Sequence, residues 1–385
     1  MKAPLIVGIV GTVLLAFAGA LAGSAAARES PVAIPDPPPA AASAATLPDT
    51  TTKLPRRRLV VVAGGDVSFG REAGQSALSD SGYRPFRGIE PLWADADLRI
   101  VNLESQLTDQ GGETQSPYDR LVFAGPPVAA EILAASGIHA VSTANNHAWD
   151  YGKGALFETL ANLDRSGVQH AGTGATRDDA ERPVELEVNG YKIALFSVTQ
   201  IWNYGEFAKH PGRQHVAWAD AKSTSLRLRA AREAHDLVFV SFHGGSEYVN
   251  APGEMAKNFV NRAMDAGADA LFGHHPHVVN GVRWFGGRPA FHSLGNLVFG
   301  SRRGYPWTRY GMLARMIFEE DGTRRFSLCP YRIEIGTHEP HVLDGRYGAY
   351  DRERFYRHFQ RISAELGSSE LSEPDAFGCF AVAPR

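Results

Sequence analysis

The stretch Ala144-Asn145-Asn146-His147-Ala148-Trp149-Asp150-Tyr151-Gly152 lies between two segments of different character. Residues 138–142 form an apolar run typical of a buried strand, and residues 155–163 form an amphipathic run typical of a helix. Enzymes of the α/β class place their chemistry here, at the carboxyl end of a strand. The Asn146 carboxamide oxygen can bind a metal, which leaves His147 to face a substrate, and Asp150 is placed to orient that imidazole. A motif this short also fits a polar turn with a capping residue, so its weight depends on the rest of the chain.

Outward from this stretch, apolar runs that predict strands alternate with amphipathic runs that predict helices. This alternation is typical of the α/β class. The predicted strands are 59–63, 97–103, 138–142, 184–188, 191–198, 237–242, 270–272, 282–285, 289–292, 312–318 and 326–335. The predicted helices are 126–136, 155–163, 219–235, 254–266 and 350–366, followed by a loose tail. Residues 108–119 are predicted to form an exposed loop. The aromatic segment 200–215 either lines a substrate cleft or packs on itself.

Five of the predicted strands are followed by side chains that bind metals. These side chains are Asp66, Glu104, Asn146 with His147, His243, and His275 with His277. Carboxylate, amide and imidazole groups together suit one or two divalent ions such as Mn, Fe, Zn or Mg, and not a thiolate zinc site. Two ions need a ligand that bridges them. Asp66, which follows the first predicted strand, is the predicted bridge.

The whole chain has the composition of an ordinary globular protein. It has 385 residues, of which 44% are hydrophobic and 21% charged, and its formal charge of −3 gives no indication of a nucleic-acid partner. Its two cysteines, Cys329 and Cys379, form no zinc-binding pattern. They are either a disulfide or two buried free thiols, because spacing alone does not show proximity.

The amino-terminal region predicts export. Residues 1–27 combine Lys2, a long apolar run and an Ala-rich end, which is typical of a signal peptide or, given the length of the run, of an N-terminal membrane anchor. Residues 28–57 are rich in Pro and Ala and predict a disordered tether. The folded body is then predicted to comprise a domain at 58–305 and C-terminal strands and a helix at 306–385 that complete it, in a periplasmic or extracellular location.

Several motifs, in this order along the chain, resemble the CapA family of poly-γ-glutamate capsule synthesis proteins, which are similar to calcineurin-like metallophosphoesterases. The motifs are Gly65-Asp66-Val67-Ser68-Phe69-Gly70-Arg71, Asn102-Leu103-Glu104, the stretch 145–152, Gly273-His274-His275-Pro276-His277-Val278 and Ser293-Leu294-Gly295-Asn296. They span about residues 59–299. The resemblance implies a β-sandwich flanked by helices in four α-β-β-α layers, with a dinuclear metal site.

The resemblance also implies roles for individual residues. Asp66 matches the bridging aspartate, and Glu104 matches the acidic residue of the second motif. Asn146 matches a metal ligand, His147 the substrate-facing histidine, and Asp150 its partner. The remaining implied ligands are His243, His275 and His277, with His274 as the alternative if the register is shifted by one.

Two positions depart from the usual pattern of these families. Ser68 stands where phosphoesterases usually carry a histidine, which removes a nitrogen ligand from one metal. Gly244 stands where the family often has Trp, which predicts a more open cleft. Glu247, three residues further on, is either an acid/base or cation-binding group or a solvated loop carboxylate.

The resemblance implies a metal-dependent hydrolase that acts in the synthesis or export of a capsule or poly-γ-glutamate-type surface polymer, and the amino-terminal region predicts that it is exported. Metal-activated water would attack a phosphoester, amide or γ-glutamyl bond, assisted by His147 and Asp150. One alternative is a non-catalytic, polyanion-binding component of a membrane polymer-export complex, which would need membrane protein partners. Another is a phosphoesterase that acts on nucleotides or lipid phosphates.

Overall fold

The structure is a computed structural model that describes residues 57–109, 121–302, 304–367 and 369–384, without the side chains of 345–347. The predicted signal peptide or anchor, the predicted tether up to residue 56 and most of the predicted loop at 108–119 lie outside the described residues. Within the described ranges, every helix is too short or too polar to span a membrane.

The described residues form eighteen strands and seven α-helices. The strands are β1 (Leu59–Val67), β2 (Leu98–Leu103), β3 (Gln106–Leu107), β4 (Ala124–Gly125), β5 (Ala140–Ser142), β6 (Gln169–Ala171), β7 (Val184–Val188), β8 (Tyr191–Thr199), β9 (Leu237–His243), β10 (Ala270–His274), β11 (Val282–Phe285), β12 (Arg288–Phe291), β13 (Asn296–Val298), β14 (Tyr310–Phe318), β15 (Arg324–Ile333), β16 (Pro340–Val342), β17 (Ser369–Leu371) and β18 (Phe380–Pro384). The helices are α1 (Glu72–Ser79), α2 (Ala129–Ala135), α3 (Gly152–Arg165), α4 (Arg177–Glu181), α5 (Ala221–Ala234), α6 (Glu254–Asp265) and α7 (Gly345–Ala364). Short 3-10 helices occur at Arg87–Leu92, Phe207–Lys209, Pro211–Gln214 and Pro306–Arg309.

Two sheets form the body of the protein. The first has the order β17-β18-β15-β14-β1-β2-β5-β6, with β13 beside β1 and β16 beside β15. The second has the order β11-β12-β10-β9-β8-β7. β1, β2, β5 and β6 are parallel to one another, and so are β8, β9 and β10. In each parallel set, the carboxyl ends of the strands therefore meet at one edge of the sheet.

Both faces of each sheet are covered by apolar groups. Along β1 the residues alternate, so that Leu59 and Val61 face the second sheet while Val60 and Val62 face helices. The core between the sheets contains, among others, Ile100, Leu195, Phe239 and Phe272. The outer face of the first sheet packs on α1, α2 and α3, and that of the second sheet on α5 and α6. Strands covered on both faces have continuous apolar sequences, which is why these runs lack polar alternation. The predicted α/β fold with four α-β-β-α layers is confirmed.

The first strand is longer than predicted and contains Asp66 instead of ending before it. The pairing of β1 with β2 shifts register between Ala63 and Asp66, and pairing then resumes. Gly65 makes this possible, since a Cβ there would lie 1.9 Å from the carbonyl oxygen of Gly295. Gly65 therefore lets the segment that precedes β13 pass close to β1. For this reason β1 continues through the two glycines instead of ending there.

The tail after α7, predicted to be loose, is ordered. β18 pairs with β15 through Leu328 and Phe380, and the Phe380 side chain is buried in the core between the sheets. A disulfide joins Cys329 in β15 to Cys379 next to β18, which decides between the two alternatives left open by the sequence. The sequence prediction missed these strands because each is short and flanked by polar turns.

Removal of this disulfide is expected to lower thermal stability. Cys329 and Cys379 are 50 residues apart, and cross-linking a loop of that length stabilises a fold by about 4 kcal/mol in the chain-entropy model. The variant Cys329→Ser/Cys379→Ser should unfold at a lower temperature than the parent in differential scanning calorimetry. A reducing agent should lower the parent's Tm towards that of the variant and leave the variant unchanged. Equal Tm values for both proteins would contradict the bond or its contribution.

Candidate metal centre

The six predicted metal ligands lie together, where strand ends of the two sheets meet. The first sheet supplies oxygen donors: Asp66 near the end of β1, Glu104 directly after β2, and Asn146 after β5. The second sheet supplies nitrogen donors: His243 at the end of β9, and His275 and His277 directly after β10. All six residues are buried.

Three groups of side chains have ligand atoms close enough to share an ion, within 4.8 Å of one another. Two of the groups are fully buried. The first consists of Glu104, His243 and His275, and the second of Asp66, Glu104 and His277. Glu104 belongs to both, whereas Asp66, predicted as the bridging ligand, belongs to one. Two neighbouring ion positions would therefore share the carboxylate of Glu104.

Glu104 is a buried carboxylate without hydrogen-bond partners. Both of its oxygens lack a partner among the described residues. Its Oε1 lies 3.7 Å from His243 Nε2, 3.8 Å from His277 Nε2 and 3.9 Å from His147 Nε2. These distances are too long for hydrogen bonds. Burial, together with the negative charges of Asp66, Glu247 and Asp150, raises the pKa of Glu104 well above its ordinary value. An unpaired buried carboxylate is costly unless a cation compensates it.

The surrounding imidazoles are kept neutral. Burial, with the positive charges of neighbouring histidines, lowers the pKa of His243 well below its ordinary value. Burial and the charge of His277 lower the pKa of His275 to about 3. Its Nδ1 is also buried without a partner. A histidine binds metal in its neutral form. Neutral imidazoles around an uncompensated carboxylate therefore fit a divalent cation and its donor chemistry.

Asp66 connects the two sheets. Its Oδ1 accepts a hydrogen bond of 2.9 Å from Asn102 Nδ2, and its Oδ2 accepts one of 3.2 Å from the His275 backbone N–H. His274 Nδ1 lies 3.0 Å from its Oδ1. Burial alone would raise the pKa of Asp66, but the hydrogen bond and positive charge of His274, together with the charge of His277, lower it. His274 thus contacts a candidate ligand and belongs to none of the three groups found among the described residues.

Two asparagines orient the candidate ligands, and the sequence analysis assigned neither of them a role. Asn296 Nδ2 donates to the Thr308 carbonyl oxygen, which turns its Oδ1 towards His277 Nδ1 at 2.8 Å. Nδ1 of His277 must then carry the proton, so Nε2 keeps its lone pair for an ion. Asn102 is fixed in the same way, because its Oδ1 accepts from Ser142 while its Nδ2 donates to Asp66. Both asparagines stand inside the motifs quoted above, which was the available signal.

His147 is held by a fully engaged carboxylate. His147 Nδ1 lies 2.7 Å from Asp150 Oδ2, which also accepts the Phe123 backbone N–H. Asp150 Oδ1 accepts a hydrogen bond of 2.5 Å from the Tyr204 hydroxyl. The Asp150 side chain is completely buried. A carboxylate with these partners fixes the proton on Nδ1 and directs His147 Nε2 towards Glu104.

The aromatic segment 200–215 packs on itself, one of the two alternatives that its sequence left open, and it also contacts residues of the centre. Trp202 packs on Phe207 and His210, with ring centroids 5.0 Å apart in each pair. Its Asn203 accepts a hydrogen bond of 3.3 Å from Asn146, and its Tyr204 holds Asp150. Two consecutive residues of this segment therefore support a candidate ligand and the partner of His147.

Ser68, which departs from the usual pattern, and Glu247 lie beside the centre. Ser68 is buried at its edge, where Oγ accepts the backbone N–H of Gly70 at 3.2 Å. The side chain of Glu247 is 41% exposed. Glu247 forms the third possible metal-binding group with His275 and His277, so its two alternatives, a cation-binding group or a solvated carboxylate, both remain consistent with its position.

This geometry lies inside a region shared with known proteins. Residues 60–301 match the family described as "Bacterial capsule synthesis protein PGA_cap", which is more than half of the 385 residues. The chain belongs to this family. The predicted membership of the CapA family is confirmed, and the PGA_cap region contains all six candidate ligands, His147 and Asp150.

Two relatives and one solved structure show how far the similarity extends. The PGA_cap chain is 29% identical over 277 residues to "PGA biosynthesis protein CapA" of Bacillus subtilis (strain 168), with 72% of each chain covered. It is 25% identical over 305 residues to "Capsule biosynthesis protein CapA" of Bacillus anthracis, with 78% of this chain and 72% of the relative covered. The NAD nucleotidase structure of Haemophilus influenzae is 13% identical with a TM-score of 0.43, over 83% of this chain and 65% of that protein, just under two thirds of its length. A TM-score in this range does not establish a shared activity.

Glu104 is expected to make a contribution to the stability of the metal-free protein that falls as the pH rises. The pKa of Glu104 is raised in the folded state, so the folded protein retains a proton that the unfolded chain releases above the ordinary carboxyl pKa. The lowered pKa values of His243 and His275 act in the opposite direction, because the unfolded chain binds the protons that these buried imidazoles exclude. Glu104→Gln removes only the contribution of Glu104, so the Tm of the variant minus that of the parent should increase with pH, and without metal the variant should be at least as stable as the parent at pH 7. The measurement is Tm from pH 5 to pH 8 after treatment with a chelator.

Addition of Mn²⁺ or Zn²⁺ should reverse this order of stability. An ion at one hundred times its Kd adds about 2.7 kcal/mol to the parent and less to Glu104→Gln, which loses the ligand shared by the two buried groups. Glu254→Gln, which removes an exposed carboxylate of α6, is the control and should respond to metal as the parent does. If Glu104→Gln destabilised the metal-free protein equally at every pH, the account of Glu104 as an uncompensated charge would be wrong.

Proposed function

We propose that this protein is an exported, metal-dependent hydrolase that acts in the synthesis or export of an anionic surface polymer of the poly-γ-glutamate type. The observation that carries the proposal is the pairing of two features in one buried site. Glu104 is buried without a hydrogen-bond partner among the described residues, next to His243, His275 and His277. Beside it, His147 is held by Asp150 with its Nε2 directed at the same space.

The residues that would hold an ion are those already brought together. Glu104, His243 and His275 form one position with Asn146 next to it, since Asn146 Oδ1 lies 2.7 Å from His243 Nε2. Asp66, Glu104 and His277 form the second. When bound, a divalent ion supplies Lewis acidity that polarises the bond under attack and lowers the pKa of a water. Ser68 provides no nitrogen donor to the second position, so we expect the first position to bind more tightly.

His147 is the residue placed to move a proton. Its Nδ1–H donates to Asp150, so Nε2 is the atom that can take up a second proton from water and then donate it to a leaving group or, as N–H, stabilise negative charge on it. Asp150 and Tyr204 act as positioning residues, since neither faces the site directly. A purely structural metal site has no need for a histidine whose orientation is fixed by three further groups.

The surface-polymer role is supported by the family and by the names of the two relatives, which refer to capsule and PGA biosynthesis. Export is supported by the apolar run near the amino terminus and by the Cys329–Cys379 disulfide, because disulfides persist in oxidising compartments. The substrate is then an anionic polymer or a phosphoester, and membrane proteins of polymer synthesis or export are proposed as partners.

One observation favours a second function, a polyanion-binding component without catalysis. Ser68 replaces a nitrogen ligand, and a weakened second position would retain a cation for binding without the two-ion arrangement used in many hydrolases. A phosphoesterase acting on nucleotides or lipid phosphates is the third possibility, and the choice of substrates in the test below separates it from the first.

Substitution of His147 is expected to abolish turnover while metal remains bound. The body 58–385, purified without chelator and supplied with Mn²⁺, is assayed on bis(4-nitrophenyl) phosphate and on poly-γ-glutamate. His147→Ala should lower kcat by roughly 100- to 10,000-fold, the usual contribution of a general acid, with unchanged metal content by elemental analysis. Tyr204→Phe should lower it by about 10- to 100-fold, as expected for an outer-shell group.

A second His–Asp pair serves as the control for these variants. His170, in the edge strand β6, lies 3.1 Å from the exposed carboxylate of Asp164 and belongs to none of the candidate metal-binding groups among the described residues, and His170→Ala should leave both turnover and metal content unchanged. Metal binding without turnover of either substrate would favour the polyanion-binding component. A protein that binds no Mn²⁺ or Zn²⁺ at all would overturn the proposal.

A further inference from the structure

The second ion position is short of donors on one side. Its group consists of Asp66, Glu104 and His277. Ser68, at the edge of this position, has only a hydroxyl, and its Oγ already accepts the Gly70 backbone N–H at 3.2 Å. Divalent ions in proteins take four or more ligands. A further donor at this position therefore has to come from water, from a substrate or from another side chain.

Glu247 approaches the centre from the same side as Ser68. Both residues line a cavity of about 430 Å³, together with His147 and His277. Ligand atoms of Glu247, His275 and His277 lie within 4.8 Å of one another. His277 thus belongs both to this group and to the second ion position. The side that Ser68 leaves without a nitrogen donor is the side on which Glu247 stands.

Backbone hydrogen bonds fix the main chain on both sides of Glu247. The Gly244 N–H donates to the His274 carbonyl oxygen at 3.1 Å, and the Tyr248 N–H donates to the Pro276 carbonyl oxygen at 2.8 Å. These two bonds join the segment that carries Glu247 to the segment that carries the histidines of its group. The carboxylate is therefore kept next to these histidines by the fold, although its side chain is partly exposed.

The backbone is strained where these two segments meet. Tyr248 (φ 64°), His275 (φ 93°) and His277 (φ 55°) have left-handed conformations. Such conformations cost roughly 1–3 kcal/mol each in residues other than glycine and cluster at active sites and ligand clamps. Here they coincide with the two histidines and with the residue that follows Glu247. Stability alone does not account for this arrangement, whereas the binding of a ligand between the segments does.

The other contacts of Glu247 are compatible with metal binding. Its Oε2 lies 4.0 Å from Arg302 Nη1, and the Glu247 side chain is 41% exposed. An exposed ion pair at this distance contributes little. The Tyr248 side chain interacts with both Glu247 and Arg302. A carboxylate has two oxygens with about four acceptor positions. One oxygen is thus available to an ion while the other keeps these contacts, as is usual for ligating carboxylates.

We propose that Glu247 is a ligand of the second ion position, where it supplies the donor that Ser68 does not. The donors at that position are then three carboxylates, from Asp66, Glu104 and Glu247, and the imidazole of His277. Such an oxygen-rich set suits Mn²⁺. The inference rests on the proposed function, because it assumes that ions occupy this centre.

The test is metal binding without turnover, measured by isothermal titration calorimetry with Mn²⁺ on the metal-free body 58–385. The parent should bind two equivalents. Glu247→Gln should keep the first equivalent and bind the second at least roughly 10- to 100-fold more weakly, since the loss of an outer-shell group alone has an effect of this size. Electron paramagnetic resonance should show two spin-coupled ions in the parent and a single, uncoupled ion in the variant at the same Mn²⁺ concentration.

A second substitution distinguishes a lost ligand from a disturbed site. Ser68→His in the Glu247→Gln background introduces the nitrogen donor that phosphoesterases usually carry and should recover the second equivalent. Glu353→Gln is the matched control, because it removes an exposed glutamate that is also paired with an arginine; it should bind two equivalents, as the parent does. Thermal unfolding checks that each variant is folded.

Three outcomes would overturn the inference: a parent that binds only one ion, a Glu247→Gln variant that binds both ions as the parent does, or an equal loss of affinity for both ions. The last outcome would make Glu247 a charge near the centre and not a ligand of one position. Hydrolysis is measured separately on the same samples. If turnover fails while the second ion depends on Glu247, the proposed function fails and the inference stands. If turnover holds and Glu247→Gln leaves the second ion unaffected, only the inference fails.

Discussion

The buried carboxylate of Glu104 is the constraint on which the rest of the site depends. A carboxylate removed from water without hydrogen bonds is unfavourable by itself, yet Glu104 is fully buried and neither of its oxygens has a hydrogen-bond partner within the part of the chain that the structure describes. The imidazoles around it are too far away to form hydrogen bonds with it, yet they pack closely enough to keep it from solvent. Its position after β2 is fixed by pairing on both sides of that strand. The fold therefore maintains an arrangement that a divalent cation would compensate.

The residues around this carboxylate act mainly by restricting the orientations that the candidate ligands and His147 can adopt. Asn102 and Asn296 can each turn their amide in two ways, and a third group, Ser142 or Thr308, decides which way. The orientation of the Asp150 carboxylate is fixed in the same way by hydrogen bonds from the Tyr204 hydroxyl and the Phe123 backbone N–H. Each candidate functional atom thus has one available orientation, and each orientation depends on residues distant in sequence. This is the organisation expected where geometry matters more than local stability.

The sequence predicted the features that depend on local pattern, and it missed those that depend on tertiary contact. The apolar runs predicted the order of strands and helices, since burial on both faces leaves a continuous signal. The extension of β1 through Asp66 was missed because glycines normally end a strand, and here Gly65 accommodates Gly295. Tyr204 was missed as a partner of Asp150 because nothing in its own segment indicates which side chain 54 residues away it contacts. The sharing of Glu104 between two groups follows from the approach of the two sheets, which no local pattern encodes.

Because the donors are divided between the two sheets, the candidate ligands come together only late in folding. The oxygen donors Asp66, Glu104 and Asn146 are translated first and belong to one sheet, and the nitrogen donors from His243 to His277 come later and belong to the other. The mixed set of carboxylate, amide and imidazole donors, which suits transition metals, therefore exists only after the two sheets have packed. The complete candidate site is a property of the folded protein and not of the growing chain.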